Sequence, residues 1–477
     1  MLNSPMFLPR AFRFTPRSLK RFYSSTIQAE LAGLRKTPLF NLHVANGAQM
    51  MPFAGYAMPV TYTGQSIGES HNWVRQKAGL FDVSHMVQHS YLSPPGSPQK
   101  CQTWLTIITS LTGPGALHFL QSVTPTDVAS LPTHHYTLSV FLHPLTGGIV
   151  DDLIITSHGP ESFYIVTNAG CREKDLAYIA EKLKPFPNAA HKVLGGQGLL
   201  ALQGPLAKDI LGEYLAGVTG HGVDLPGLLF GHSMFIDTPA LGEGERLHIA
   251  RGGYTGEDGF EISVSGEKTE AVATGLLAVG HDGDRLRLAG LGARDSLRLE
   301  AGMCLYGHDL NDETTPVEAG LKWLIGKKRV AEGFVSPEAF SEGFFILIRM
   351  VCRNFLGAEK IAEQYADWKR VPRRRVGFIV NGPPAREGAK IVERKTENVI
   401  GILPTLSPTY VLPRLTFTGE ITSGCPSPTL GQNVAMGYIK SGYHKSGTQV
   451  GIIVRKLERD AVVTKMPFIE PKYYKRP

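Results

Sequence analysis

Gly147-Gly148-Ile149-Val150-Asp151-Asp152-Leu153-Ile154 sets two adjacent carboxylates at the entrance of an apolar run, directly behind a pair of glycines. The run reads as a β-strand entered from a glycine turn. If it begins at Ile149, the period of two sends Asp151 and Asp152 to opposite faces, so they cannot act as a paired acid and base in one site. One of them facing a cleft, raised by partial burial, is the functional reading. Both satisfying turn amides is the bland one, and the residues alone leave the two open.

Working outward, the apolar run continues through Ile155, and Phe163-Tyr164-Ile165-Val166 and Phe260-Glu261-Ile262-Ser263-Val264 read as further strands. Strand-like runs alternate with amphipathic helical stretches from Thr37 to about Ile325, so this part is mixed α and β. Between Ala293 and Ala301, the residues Arg294, Leu297, Arg298 and Ala301 fall at helical spacing, and Gly302 ends the helix. Beyond a basic stretch at Lys327, Lys328 and Arg329 the chain becomes strand-rich and is punctuated by Gly and Pro. Val376–Val380, Ala435–Ile439 and Val450–Val454 suit a small C-terminal β-barrel.

The glycine-bounded loop from Gly252 to Gly259 feeds the Phe260 strand. With Phe260, Ile262 and Val264 toward the core, Glu261 and Ser263 take the other face. A carboxylate there can grip the N–H edge of an amino-substituted ring, although an ordinary solvent-facing glutamate fits equally. Arg294 can hold a carboxylate in its fork, or pair within its own helix with Asp295 or Glu300. Gly196-Gln197-Gly198-Leu199-Leu200-Ala201 imitates a dinucleotide fingerprint but runs into a strand where a helix is needed.

Composition narrows the classes. The 477 residues are 42% hydrophobic and 19% charged, enough for two or three domains with real cores. The net charge is +7, yet residues 1–35 hold six of the 49 basic side chains and one of the 42 acidic ones. The remainder, 43 against 41, is too balanced for a nucleic-acid binder. That Arg-rich, acid-poor leader has the composition of a mitochondrial transit peptide. Five well-separated cysteines with no C-x-x-C pair argue against a zinc site or disulfide framework, and no apolar run is long enough to span a membrane.

Taken together these segments resemble the aminomethyltransferase, or T-protein, family of the glycine cleavage system. The resemblance is carried by Pro52–Tyr56, Phe81–Met86, Gly147–Leu153, Asn168–Gly170, Leu202–Pro205, Gly253–Ile262, Ala293–Gly302, Thr314–Glu318, Thr422–Pro428 and Lys465–Phe468. It implies an α+β, three-domain cloverleaf around a folate channel, with a C-terminal β-barrel-like domain. The implied reaction passes the aminomethyl carbon from a lipoylated H-protein to tetrahydrofolate in the mitochondrial matrix, giving 5,10-methylenetetrahydrofolate, ammonia and dihydrolipoyl H-protein. No metal, nucleic acid or membrane is implied. A non-catalytic folate-binding protein of the same superfamily is the alternative.

Residue by residue, the resemblance places the catalytic aspartate on Asp152 and the pterin-recognising glutamate on Glu261. It places folate-lining positions on Arg294, Tyr254, Met86, Trp323, Arg375 and Tyr473. The expected organisation is a leader over 1–35, folate-binding domains over 36–330, a linker over 331–364 and the barrel over 365–477. A basic docking patch of Lys322, Lys327, Lys328 and Arg329 is one expectation for the H-protein partner; a merely solvated charged face is the other.

Three stretches depart from the family pattern: 91–110, 335–354 and 402–419, of 20, 20 and 18 residues. The second holds Phe344-Phe345-Ile346-Leu347-Ile348 and the third three prolines among apolar residues, odd material for surface loops. Their similar lengths and abrupt edges read as translated short introns, and Val335-Ser336 is compatible with an in-frame GTAAGT donor. Lineage-specific loops are the competing reading.

Overall fold

The computed structural model describes residues 31–90, 111–112, 115–331, 355–367, 371–394 and 416–475. The segments 91–110, 335–354 and 402–419 lie outside the described residues, apart from Thr416–Gly419 at the end of the third. Among the described residues, no helix is long and apolar enough to cross a membrane.

Two six-stranded sheets and a closed barrel carry the molecule. The first sheet runs, edge to edge, Ser233–Asp237, Arg246–Arg251, Gly259–Val264, Gly198–Gln203, Ala78–Asp82 and Leu286–Leu288, antiparallel except for the last pair. Its core gathers Leu200, Leu202, Phe260, Ile262 and Val264 against the helix Ala207–Thr219, which buries Ile210, Leu211, Tyr214 and Leu215. Each such aliphatic side chain contributes roughly 1.5–3 kcal/mol. Phe260, Ile262 and Val264 thus take the core face, as their alternation requires.

The second sheet is ordered Tyr136–Leu142, Ile149–Gly159, Ser162–Thr167, Val87–Ser90 and Lys192–Val193, with the two-residue strand Leu111–Thr112 also paired to Ser162–Thr167. Its longest strand begins at Ile149, as the glycine turn indicates, and pairs with both neighbours in antiparallel register. The two glycines are needed for different reasons. Gly147 has φ +65°, a left-handed turn open to glycine without cost, whereas a Cβ on Gly148 would sit 1.7 Å from the Asp312 carbonyl oxygen. The segment 302–320 is laid directly on the start of this strand.

The C-terminal barrel closes in the order Arg373–Val380, Gln432–Lys440, Phe417–Ser427, Lys390–Glu393, Gln449–Val454 and Leu457–Thr464. It is tied to the rest by the helix Leu291–Glu300, whose Arg298 donates to Asp309 at 2.6 Å and to the Ser423 hydroxyl at 2.9 Å. The helix Ile67–Gln76 is set by a Ser66/Glu69 capping box and delivers His71 and Arg75 to the same junction.

Candidate active site

Period-two geometry divides the aspartate pair. Asp151 points with Leu153 and Ile155, which sit in the apolar core, and is fully buried; Asp152 shares its face with Ile154 and Thr156. Ile154 and Thr156 line a narrow cavity of about 20 Å³ together with Tyr136, Tyr164, Val166, Leu199, His248, Ala250 and Glu261. One strand face therefore runs from Asp152 to the Glu261 cavity. The carboxylates, expected to be independent, nonetheless share a partner. The Asn168 side-chain amide donates to Asp151 Oδ1 at 3.0 Å and to Asp152 Oδ1 at 2.8 Å, and the Asn168 N–H reaches Asp151 Oδ2 at 2.9 Å. Asp151 takes the backbone amide of Asn168, and Asp152 takes only its side chain.

Burial, and then the negative charge of Asp151, push the Asp152 carboxyl up to about 8, despite the hydrogen bond from Asn168. A group so placed exchanges a proton near neutral pH. Glu261 is also raised by burial, with the Arg294 guanidinium pulling it back. Its carboxylate has no ion pair or side-chain hydrogen bond, and it faces a cavity walled by two tyrosine rings. Those rings are themselves anchored, Tyr136 to the Arg251 carbonyl at 2.8 Å and Tyr164 to Gln88 at 3.1 Å.

Arg294 forms none of the intrahelical pairs open to it. Arg298 takes Asp295, and the Arg294 guanidinium lies 4.5 Å from the centre of the Tyr254 ring. Tyr254 donates its hydroxyl to the Cys304 carbonyl and lies within the fields of Arg298, Asp152 and Arg294. The loop bearing it is pinned by Gln203, whose amide donates to the Gly252 carbonyl at 2.9 Å and accepts from the Thr255 hydroxyl at 2.8 Å. Met86 packs beside Ala293 and Leu297 of the Arg294 helix.

Arg375 reaches out of the barrel to donate to the Ala319 carbonyl at 2.8 Å and the Gly302 carbonyl at 3.1 Å. Part of a guanidinium expected to face a ligand carboxylate is thus engaged with backbone. Tyr473 stacks on Phe230 at 4.2 Å, and Phe230 in turn meets the Tyr136 ring edge-on at 6.3 Å. Arg294, Tyr254, Asp152 and Glu261 are thereby linked by ring contact or by charge, while Met86, Arg375 and Tyr473 are held by the elements around them. Trp323 stands apart, 65% exposed on a short turn of helix with no recorded contact to the others.

The basic patch is corrected in part. Arg329 is buried, donates to the Thr124 and Thr126 carbonyls at 2.6 and 2.9 Å, and sets its guanidinium 4.9 Å from the centre of the Phe355 ring. Lys327 and Lys328 remain exposed. Two residues escaped sequence reasoning. Asn168 appears there only as part of a matching stretch. His85, 3% exposed and pushed down to about 4 by burial and the nearby Arg294, leaves its Nδ1 without a partner. Among the described residues, no group of three or more His, Cys, Asp or Glu is disposed to hold a metal ion.

Comparison with known proteins places these features in a family. A family model described as the GCVT N-terminal domain matches residues 39–92 and 107–329, and one described as the glycine cleavage T-protein C-terminal barrel domain matches 373–470. The first match breaks inside 91–110 and 335–354 falls between the two, whereas the second runs through 402–419. The chain is 40% identical over 458 residues to the probable mitochondrial aminomethyltransferase of Schizosaccharomyces pombe, covering 96% of this chain and 98% of that one. It is 42% identical over 449 residues to the mitochondrial aminomethyltransferase of Saccharomyces cerevisiae, covering 93% and 96%. The crystal structure of the glycine cleavage system aminomethyltransferase T from Bartonella henselae superposes with a TM-score of 0.71 at 31% identity, covering 93% of this chain and all of that one.

Proposed function

From the premise that the chain belongs to the glycine-cleavage T-protein family and is an aminomethyltransferase, we propose how its residues divide the work. Tetrahydrofolate supplies, when bound, the nitrogens that take up the one-carbon unit. Glu261 holds the N–H edge of its ring at the opening between Tyr136 and Tyr164, and Arg294, Tyr254, Met86, Arg375 and Tyr473 line the remainder of the path, with Trp323 outside it. The observation that supports this is Glu261 itself: a half-buried carboxylate with no bonded side-chain partner among the described residues, opening on a cavity walled by rings. Flat apolar walls around one acceptor match a flat heterocycle rimmed by donors.

Asp152 orients the attacking amine and accepts its proton, with its affinity for that proton raised by burial and by Asp151. The aminomethyl donor is the lipoyl arm of H-protein, and transfer leaves ammonia and the dihydrolipoyl thiol. The mitochondrial matrix is the site of action. The division into a leader over 1–35, folate-binding domains over 36–330, a linker over 331–364 and a barrel over 365–477 belongs to the same proposal. So does the reading of 91–110, 335–354 and 402–419 as translated introns, which transcripts reading continuously through the three segments would overturn.

The test is methylenetetrahydrofolate formation from aminomethylated H-protein, run beside folate binding by calorimetry. Asp152→Ala should abolish turnover while leaving the folate affinity within a few fold. Turnover that survives Asp152→Ala would remove Asp152 from the mechanism.

A further inference from the structure

Asp175 lies in the first turn of the helix Arg172–Leu183, fully buried, and neither of its carboxylate oxygens has a donor within hydrogen-bond distance. What it does touch is another acid: its carboxyl meets that of Asp151. Two carboxylates are both acceptors and cannot bond each other unless one carries a hydrogen. The surroundings decide which one does. Asp151 accepts from the Asn168 backbone at 2.9 Å, from the Asn168 amide at 3.0 Å and from the Cys171 thiol, a set of donors suited to a carboxylate. Asp175 has a single hydroxyl close by, that of Thr167, which also shares a hydrogen bond with His89 Nε2 at 2.8 Å, a poorer set of donors than that of Asp151.

We infer that Asp175 is a permanently protonated acid that donates its hydrogen to Asp151, leaving Asp151 as the ionised member of the pair and the positioning residue for Asp152. The inference rests on the reading of Asp152 as the catalytic carboxylate and adds the device behind it. Burial, and then the Asp151 charge, drive Asp175 far above the ordinary carboxylate range, in keeping with the geometry. Among the described residues, no cation forms an ion pair with either carboxylate, and Lys174 acts on Asp175 only from a distance. Lys174, next in sequence to Asp175, places its ammonium on Asp312 at 3.1 Å and the Tyr306 hydroxyl at 2.6 Å. Tyr306 in turn donates to the Ile149 carbonyl, and Asp309 on the far side of Asp152 is occupied by Arg298.

The consequence is a fixed negative charge one residue from Asp152, joined to it through the two hydrogens of a single amide. With Asp175 neutral, Asp151 is the member of the pair that carries the charge; burial raises its own carboxyl above the ordinary range, and the hydrogen bonds from Asp175 and Asn168 pull it back. That charge holds Asp152 ready to take up a proton. Were Asp175 ionised as well, two uncompensated anions would stand in contact in the interior, a costly arrangement with no cation to balance it.

Two measurements test this on the full-length chain. The first is infrared spectroscopy of protein carrying 13C-labelled aspartate carboxyls, in an Asp152→Asn background that removes the contribution of Asp152. A protonated-acid carbonyl band should persist at about pH 8, where ordinary aspartates are long ionised. It should vanish when Asp175→Asn is added. Absence of the band in Asp152→Asn alone overturns the proposal, even if the double variant fails to fold, and does so without reference to activity.

The second is the pH dependence of kcat. Asp151→Asn should move its acid limb down by about one pH unit or more, because the charge that raises Asp152 is gone. Asp175→Asn, which keeps a neutral donor, should leave the limb in place, while Asp175→Ala should displace it. A limb that moves in Asp175→Asn as far as in Asp151→Asn would mean that Asp175 is itself charged, and the inference would fall. Were Asp152 not the catalytic group, Asp152→Ala would keep its turnover while the infrared band still reported on Asp175.

Discussion

The interior holds two groups of acids that have met opposite fates. Around Asp151, Asp152 and Asp175, hydrogen-bond donors are few and no cation is bonded. Around Glu257 and Glu300, cations converge. Arg75 donates to Glu300 Oε2 at 2.8 Å and to Glu257 Oε1 at 3.0 Å, His71 stands 3.1 Å from Glu300, and Lys472 reaches Glu257 at 3.2 Å. Ser427 and Thr429 of the barrel complete the shell of Glu300. The same burial that pushes Asp152 up is outweighed at Glu300, which is held down at about 2 by His71, Ser427 and Thr429. Charge left uncompensated becomes a means of moving protons, whereas compensated charge becomes a rivet between segments far apart in sequence.

The widest contrast is in turnover. Asp152→Ala should lower kcat by about 10²–10⁴-fold, read as methylenetetrahydrofolate produced per enzyme, with the unfolding transition unimpaired. Equal losses from a substitution that only loosens the fold would erase the distinction. Arg75→Met strikes the other group and should cost about 3–5 kcal/mol in urea unfolding, since it strands two buried carboxylates. A cost under about 1 kcal/mol would show that His71 and Lys472 suffice.

Acid should separate the two groups by sign. The folded pKa of Glu300 is depressed, so its contribution is complete above its unfolded value near 4.3 and fades as pH falls toward about 2, a loss of about 2–3 kcal/mol. Asp152 is raised, so its ionised form weighs against folding as pH climbs from about 4 toward its folded value. Asp152→Asn should therefore stabilise the chain by about 1–2 kcal/mol at pH 8 while inactivating it, measurable as a higher Tm. A Tm unchanged at alkaline pH would mean that Asp152 is better solvated than its surroundings indicate. The smallest effect belongs to Glu261, intermediate between the groups because it has Arg294 nearby but no bonded partner. Glu261→Gln keeps the shape and one acceptor and should weaken folate binding by about tenfold.

The strands around Ile149, Phe163 and Phe260 and the helix before Gly302 could be read along the chain, because alternation and a glycine stop are local signals. The separation of Asp151 from Asp152 by face follows from the same local rule. What could not be read is what lies across the fold. Asp175 sits in Arg172-Glu173-Lys174-Asp175, a run that reads as a solvated first turn of a helix, and only the approach of the Ile149 strand buries it. Asn168 as a bridge depends on where the loop after Thr167 lands. Arg75 and Glu300 are 225 residues apart, and Arg329 looks like its exposed neighbours until Phe355 packs against its guanidinium.

Residues 472–475 carry a consequence for how the molecule is made. The Lys472 N–H bonds the Gly256 carbonyl, Tyr473 stacks on Phe230, and the Tyr474 ring lies over Arg251, so the loop that presents Tyr254 is braced by residues synthesised more than 200 positions later. Deleting residues 472–477 should leave both sheets and the barrel foldable but the loop that presents Tyr254 unbraced.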